Sequence, residues 1–414
     1  MSYFEFYTKN ISQPIETKST AIAKDVNSAP KNKPRSKISN GFKSEASKDT
    51  EIIKGTCLSM CPEDEVKMRE KAKMVHVLEV IDGKKVLVKC YSRSAADSMV
   101  AVPRLLRPYR VLQDTVRHLL LKIAQKEDTN IAVIYDFVSD RFRAVRQDMT
   151  VQRLLAKECM TLLEPMIRFH VYFGYKLCEY PIAAYDPVLN KKLLLECLKW
   201  FLSCSDSMDQ FPKDLTTEME QLKLNSNVAN NKSQMENFFK CDHQLVESLY
   251  ILCNLDDVHP MYRYLNLANN LKSHTALKLA YKIAAANWRG NFVQVCKQLD
   301  NLCPLTYCAL CLYLPTVQRQ ALQVISTAYS SKQLSVPLSA LRTWLRFDSD
   351  ATAASVCAHY GLVANEGAVR FTKGNFKADV ATHQPTRLLL ADQKMDLSHK
   401  HMFTYQTEDY AYSA

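Results

Sequence analysis

The sequence predicts a mainly α-helical protein, an α-solenoid of helix pairs closed at its C-terminal end by a winged helix. Three observations carry this reading. Glycine occurs 8 times in 414 residues, under a third of the ~7% usual in globular chains, which argues against Gly-rich cofactor loops and β-rich folds. Between about 235 and 330, helical patterns follow one another across short connections, although with no strict repeat. From 337, two short helical patterns run into a hairpin pattern.

A hydrophobic fraction of 47% and a charged fraction of 23% are those of an ordinary soluble globular protein. The formal charge of +11 permits a polyanionic partner without demanding one. The 14 cysteines are too dilute for a disulfide scaffold. Several of them (Cys197, Cys253, Cys308, Cys311) lie in apolar helical runs, where cysteine behaves as a small buried hydrophobe. The start lacks a signal pattern, and no apolar run reaches membrane-spanning length. The expectation is a reducing compartment, nucleus or cytoplasm, and no membrane partner.

In chain order, residues 1–52 are rich in Lys, Ser, Asn and Pro and predict a disordered basic tail. Within it Lys31, Lys33, Arg35 and Lys37 form a loose cluster, read either as a solvated tail or as a nuclear-localisation signal. Residues 53–333 form the helical-repeat domain. Its first stretch, Gly55-Thr56-Cys57-Leu58-Ser59-Met60-Cys61-Pro62, ends on a proline that opens a polar helix. Cys57 and Cys61 invite a zinc reading, but His76 and Cys90 are the only nearby further ligands and their spacing is irregular. A packed turn is the better account.

Pro108 opens a helix with Leu112, Val116, Leu119, Leu120 and Ile123 on its buried face, and Asp128, Thr129 or Asn130 caps the next. A helix runs from Arg153 to about Glu179 and another from Pro187 to Leu202, followed by an Asn-rich loop over about 203–233. Helices are then expected at about 235–254, 260–271, 274–287, 291–301, 304–313 and 315–330. Residues 334–385 make the winged-helix subdomain: helices over 337–346 and 351–360, the second capped by Asp348 or Ser349 and stopped by Gly361. A hairpin turning at Asn365-Glu366-Gly367 follows. Residues 386–414 read as a polar C-terminal tail.

The densest chemistry lies in the helix spanning 134–148. Ile134, Phe137, Val138, Val145 and Met149 make its apolar stripe, and Asp136, Asp140, Arg141, Arg143, Arg146 and Asp148 crowd beside it. Arginine forks match carboxylates or phosphates, so these residues either form an internal lattice that fixes packing or face an acidic partner. Three aspartates in the cluster favour the lattice. On that reading Arg143→Ala strands a partly buried carboxylate, at ~1–3 kcal/mol or more.

No phosphate loop, nucleophile elbow, HExxH pair or dinucleotide fingerprint occurs. His76-x-x-Glu79 and His243-x₃-Glu247 read as structural pairs, so neither an enzyme nor a cofactor is expected. The second helix of the winged module offers Ala351 to His359, almost without base-reading side chains. The module holds five Lys/Arg against four Asp/Glu over 334–385. That favours a protein-contact surface, with Arg370, Lys373 and Lys377 as candidate contacts to a phosphate backbone.

Taken with Tyr91-Ser92-Arg93-Ser94-Ala95-Ala96, Leu106-Arg107-Pro108, Arg168-Phe169-His170, the 286–292 stretch and Arg319-Gln320-Ala321-Leu322, the sequence resembles the Sac/GANP family. Asp140 to Asp148 is similar to that family's Asp-Arg-Thr-Arg-Ala-Ile-Arg-Gln-Asp core, with Phe142 in place of Thr. The resemblance implies a non-enzymatic scaffold of PCI architecture, a helical stack ending in a winged helix. It further implies pairing with a PCI-domain protein and a small acidic proteasome-lid-type subunit, in complexes that bind nucleic acid and couple transcription to nuclear mRNA export. The pore-binding repeats, centrin-binding helix and acetyltransferase-like region of large members are not legible here. The chain is closer to short animal members linked to centrosome duplication and the mitotic spindle, which gives the alternative function. A proteasome-lid or translation-initiation PCI subunit shares the architecture but lacks the Gly-Thr-Cys opening and the Arg/Asp helix.

Overall fold

The computed structural model describes residues 53–92, 102–209, 240–388, 392–393 and 399–410. Lys31, Lys33, Arg35 and Lys37, the 93–96 part of the Tyr91 motif and most of the Asn-rich loop lie outside them. The described fold is mainly helical, and none of its helices is long and apolar enough to cross a membrane.

The described residues open with α1 (Glu63–Lys71), a two-stranded ladder of β1 (Val80–Ile81) and β2 (Lys84–Lys85), and α2 (Tyr109–His118), which continues into a π-helical turn over Leu119–Ile123. Asn130 caps α3 (Ile131–Gln152), its side chain accepting from the Ala132 amide at 2.8 Å. The helix ends where Arg153 turns left-handed at φ 49°, so α4 begins at Ala156 and runs to Lys176 rather than starting at Arg153. Helix α5 (Pro187–Asp209) continues about two turns beyond the expected Leu202.

Helix α6 (His243–Leu252) starts late because Asp242 caps it, accepting from the Leu245 amide at 2.9 Å. The expected helix over 260–271 divides into α7 (His259–Asn266) and α8 (Asn269–Lys272), and α9 (Thr275–Trp288) follows. The expected 291–301 helix becomes α10 (Phe292–Lys297) and a 3₁₀ turn.

Proline should have divided 304–330 into two helices, yet α11 (Pro304–Ala328) is continuous through Pro315. An interior proline costs ~3 kcal/mol, but Leu310, Leu314, Val317, Ala321 and Leu322 are all buried along this helix. A break would expose that face on one side or the other. Pro165 sits inside the buried α4 in the same way.

Two apolar cores result. The larger joins α2–α6, α9 and the first half of α11; the smaller joins Ala321, Leu322 and Ile325 from the second half of α11 to residues of 336–371. That closing module runs β3 (Val336–Pro337), α12 (Leu338–Leu345), α13 (Asp350–His359), β4 (Ala364–Asn365) and β5 (Ala368–Val369). The sheet order is β3-β5-β4, all antiparallel, and β3 is a strand the sequence reading did not foresee. Ser349 caps α13, and Gly361 at φ 79° stops it. Glu366 and Gly367, both at positive φ, form the two-residue turn whose twist suits a hairpin.

The stretch expected as a C-terminal tail is instead part of the main core over its described residues. Helix α14 (His399–Thr404) delivers Met402, Phe403 and Tyr405, all buried. The Thr407 amide donates to the Asp242 carboxylate at 2.7 Å, and the Leu305 amide to the Tyr405 hydroxyl at 3.2 Å. Two buried aromatic rings outweigh the polar composition around them.

Candidate functional site

Helix α3 presents its charged face to the leading segment rather than to solvent. Asp148 is fully buried and accepts from Lys89 Nζ at 2.6 Å and from Nε of the fully buried Arg107 at 2.7 Å. Gln152, one turn on, takes the Gly55 amide on its oxygen at 2.8 Å and donates to the Arg107 carbonyl at 2.8 Å. The Cys57 amide donates to the Leu106 carbonyl at 3.0 Å. A Cβ on Gly55 would lie 2.4 Å from the Leu106 oxygen, so only glycine admits this close approach.

A second node forms around Glu79, also buried, which pairs with Arg69 and with Arg141 at 3.4 Å. It takes the Val88 and His76 amides as well, each at 3.0 Å. Burial pushes the Glu79 carboxyl up, but the Arg69 hydrogen bond, these two amides and Arg141 outweigh it and hold it below its ordinary value. Arg141 reaches Asp140 at 2.6 Å and lies over the Phe137 ring, and Asp140 takes the Tyr91 amide at 3.2 Å. Arg146 points the other way, to Glu196 on α5 at 2.7 Å. Thus Asp140, Arg141, Arg146 and Asp148 each tie α3 to another segment.

Two of the six residues behave differently. Asp136 is on the exposed face and joins none of these pairs. Arg143 is half-buried with its guanidinium 3.8 Å from the centroid of the Tyr91 ring, and no carboxylate pairs with it among the described residues. Its role is a cation–π contact, so the expectation that its loss strands a carboxylate is corrected: Tyr91 approaches from a segment whose distance along the chain hid it. The partners the sequence reading missed, Glu79, Lys89, Arg107, Gln152 and Glu196, lie far from α3 in sequence, except for Gln152.

The Arg168-Phe169-His170 motif forms a third node. Arg168 pairs with Glu164 at 2.6 Å, both buried, and its guanidinium lies 4.7 Å from the Tyr405 ring centroid. His170 Nδ1 meets Asn190 Oδ1 at 2.8 Å, and burial pushes the imidazole down to about 4.

Cys57 and Cys61 are both buried; the Cys57 thiol donates to the Ser59 carbonyl at 3.3 Å, and burial pushes the Cys61 thiol well up. His76 Nδ1 is spent on capping, accepting from the Leu78 amide. Among the described residues no group of three or more His, Cys, Asp or Glu is placed to hold a metal. His243 meets the buried Glu247 carboxylate at 3.3 Å beside Arg263, which pairs with the same carboxylate at 2.8 Å. In the closing module Arg370, Lys373 and Lys377 are all exposed. The Lys373 amide is anchored on Ser330 Oγ and the Lys377 amide on the Tyr360 carbonyl.

A sequence model of the SAC3/GANP family matches residues 60–366, from the Cys57–Pro62 turn to the hairpin. The chain belongs to the SAC3/GANP family. It is 27% identical over 326 residues to SAC3 family protein B of Arabidopsis thaliana, covering 74% of this chain and 17% of that protein. It is 26% identical over 329 residues to Protein xmas of Drosophila melanogaster, covering 75% and 15%. With SAC3 family protein 1 of Schizosaccharomyces pombe it shares 24% identity over 337 residues, 75% and 30% of the two chains. The matched region is less than a third of each relative. The SAC3/GANP match contains all three polar nodes except for Gly55, Cys57 and the C-terminal Tyr405.

Proposed function

We propose that this SAC3/GANP chain is a non-enzymatic assembly subunit, a helical stack of PCI type whose closing βααββ module is a winged helix. On this reading it pairs through that module with a second PCI-domain protein and a small acidic proteasome-lid-type subunit, in nuclear complexes that couple transcription to mRNA export. The observation that carries it is the surface of α13. Ala351, Ser355, Ala358 and His359 are its exposed residues, the His359 ring being held to the Ala381 carbonyl at 2.8 Å, and Val363 beside the hairpin is 66% exposed. A helix that reads bases displays Arg, Lys, Asn or Gln there; a small, apolar face suits close approach by another protein. Arg370, Lys373 and Lys377 would touch a phosphate backbone at the edge of such an assembly.

The test is purification of the tagged chain from native extract, with and without nuclease, followed by mass spectrometry. A nuclease-resistant complex with a PCI protein and a small acidic subunit, lost in Val363→Asp, is the expected result. Centrosomal proteins without a PCI partner would transfer the reading to a mitotic role, and a bare monomer would refute assembly.

A further inference from the structure

From Val258 to Leu299 the chain carries no Asp or Glu, but it carries Arg263, Lys272, Lys278, Lys282, Arg289 and Lys297. Among the described residues only Arg263 is neutralised there, forking onto Asp206 at 2.8 Å and Glu247 at 2.8 Å. Lys278, Lys282, Arg289 and Lys297 are exposed, and none is paired with a carboxylate among the described residues. Three of these cations mark one face of α9. At 100° per residue, Lys278, Lys282 and Arg289 fall within a sector of about 40°, spread over about 16 Å of helix. About 90° away, Tyr281 and Trp288 lie in line about two turns apart, with Ala285 as a low floor between the two ridges.

The aromatic ridge is fixed and available. Tyr281 stacks on Tyr264 at 4.2 Å between centroids, which pins it, whereas Trp288 is 60% exposed. The Asn287 side chain donates to the Leu255 carbonyl at 3.0 Å, and Gly290, at φ 69°, turns the chain immediately after. The end of α9 that carries Trp288 is therefore held rigidly. Charge for solubility alone usually mixes both signs, and it does not account for an indole left in water beside unpaired cations.

We propose that this face of α9 binds single-stranded nucleic acid, with Lys278, Lys282 and Arg289 following the phosphates and Trp288 stacking on a base. The recognition is that of sequence-tolerant single-strand sites, a cationic track beside an aromatic platform. It lies outside the closing module and is separate from Arg370, Lys373 and Lys377. It rests on the assembly reading for its biological setting but not for its chemistry, so binding is measured on the purified full chain without partners.

The probe is fluorescent oligo(U) of about 12 nucleotides, within the range of single-strand sites, titrated by anisotropy at several salt concentrations. Lys278→Gln/Lys282→Gln/Arg289→Gln should weaken binding tenfold or more and lower the salt slope by about 2, since single strands contribute about 0.7 per phosphate contact. Trp288→Ala should weaken binding about tenfold with the slope unchanged, as loss of one stacked base does. Lys71→Gln/Lys73→Gln/Lys84→Gln, which removes equal charge from exposed side chains given no binding role, should leave affinity within twofold. All substituted side chains are exposed, and unchanged melting confirms folding. Equal losses in the two triple variants, full affinity in the α9 triple, or an unaffected Trp288→Ala would each overturn the proposal. Tight binding of a poly-Glu peptide with none of oligo(U) would overturn it in favour of an acidic protein partner.

Discussion

Asp148 is the residue on which the leading segment hangs, and Asp148→Asn tests this with almost no change of shape. The carboxylate is fully buried between Arg107, itself fully buried, and Lys89, whose side chain is 11% exposed. Removing one partner of a buried pair leaves the other charge uncompensated, at ~3–5 kcal/mol. With two cations stranded, a loss of about 4 kcal/mol is expected, and at ~2 °C per kcal/mol for a large domain the melting temperature falls by about 8 °C. Arg143→Ala provides the contrast, because a partly exposed cation–π contact to Tyr91 contributes only ~0.5–1 kcal/mol. Urea unfolding of both variants at neutral pH, followed by helical circular dichroism, gives the ranking directly. The reasoning fails if Asp148→Asn costs less than Arg143→Ala. It fails equally if Asp148→Asn and Arg107→Met are strictly additive in a double-mutant cycle.

Three further outcomes follow from the same geometry. Glu79 is held below its ordinary 4.5, so its contribution is complete above that pH and is lost as pH falls through the lowered value; Glu79→Gln should flatten the acid limb of a stability–pH curve below 4.5. His170 is pushed from 6.5 down to about 4, so the unfolded chain takes up a proton that the folded one refuses. Stability therefore drains as pH falls from 6.5 towards 4, by about 3 kcal/mol at most, and His170→Gln should remove that slope in urea midpoints measured across the window. Gly55→Ala drives a Cβ against the Leu106 carbonyl and the Gln152 side chain; a loss of about 1–3 kcal/mol should appear as a lower urea midpoint with an unchanged m-value.

How far the chain could be read from its residues depended on distance along it. Helix α3 was legible because its apolar stripe and its charges recur at three- and four-residue spacing, and Asn130 is a local cap. The partners of those charges were not legible: Glu79 lies 62 residues from Arg141 and Glu196 lies 50 from Arg146. No periodicity connects them. Pro315 shows the opposite failure, a correct local rule overruled by the burial of α11 on both sides of it. Met402, Phe403 and Tyr405 were lost in a polar-looking segment because their receiving groove is built from Arg168, Leu305 and Asp242, far upstream. The basic face of α9 was within reach of a window-by-window charge count, since the acid-free run is a property of the sequence alone.

Every buried arginine among the described residues ends on a carboxylate, which sets these four apart from the exposed cations of α9. Arg69, Arg107, Arg141 and Arg168 are buried, and each ends on Glu79, Asp148 or Glu164. Charges taken out of water in this way add little net stability, because desolvation offsets the attraction. What they do is fix register: Asp148 accepts cations from two separate segments at 2.6 and 2.7 Å, and a displacement of either segment by one residue would strand a charge. An apolar contact at the same place would tolerate sliding. Arg289 and Arg370, by contrast, are exposed and meet no carboxylate among the described residues. Cations that the fold leaves unanswered are the ones still available to a polyanion, which is why the densest arginine motif holds the molecule together while the sparser cations of α9 face outward.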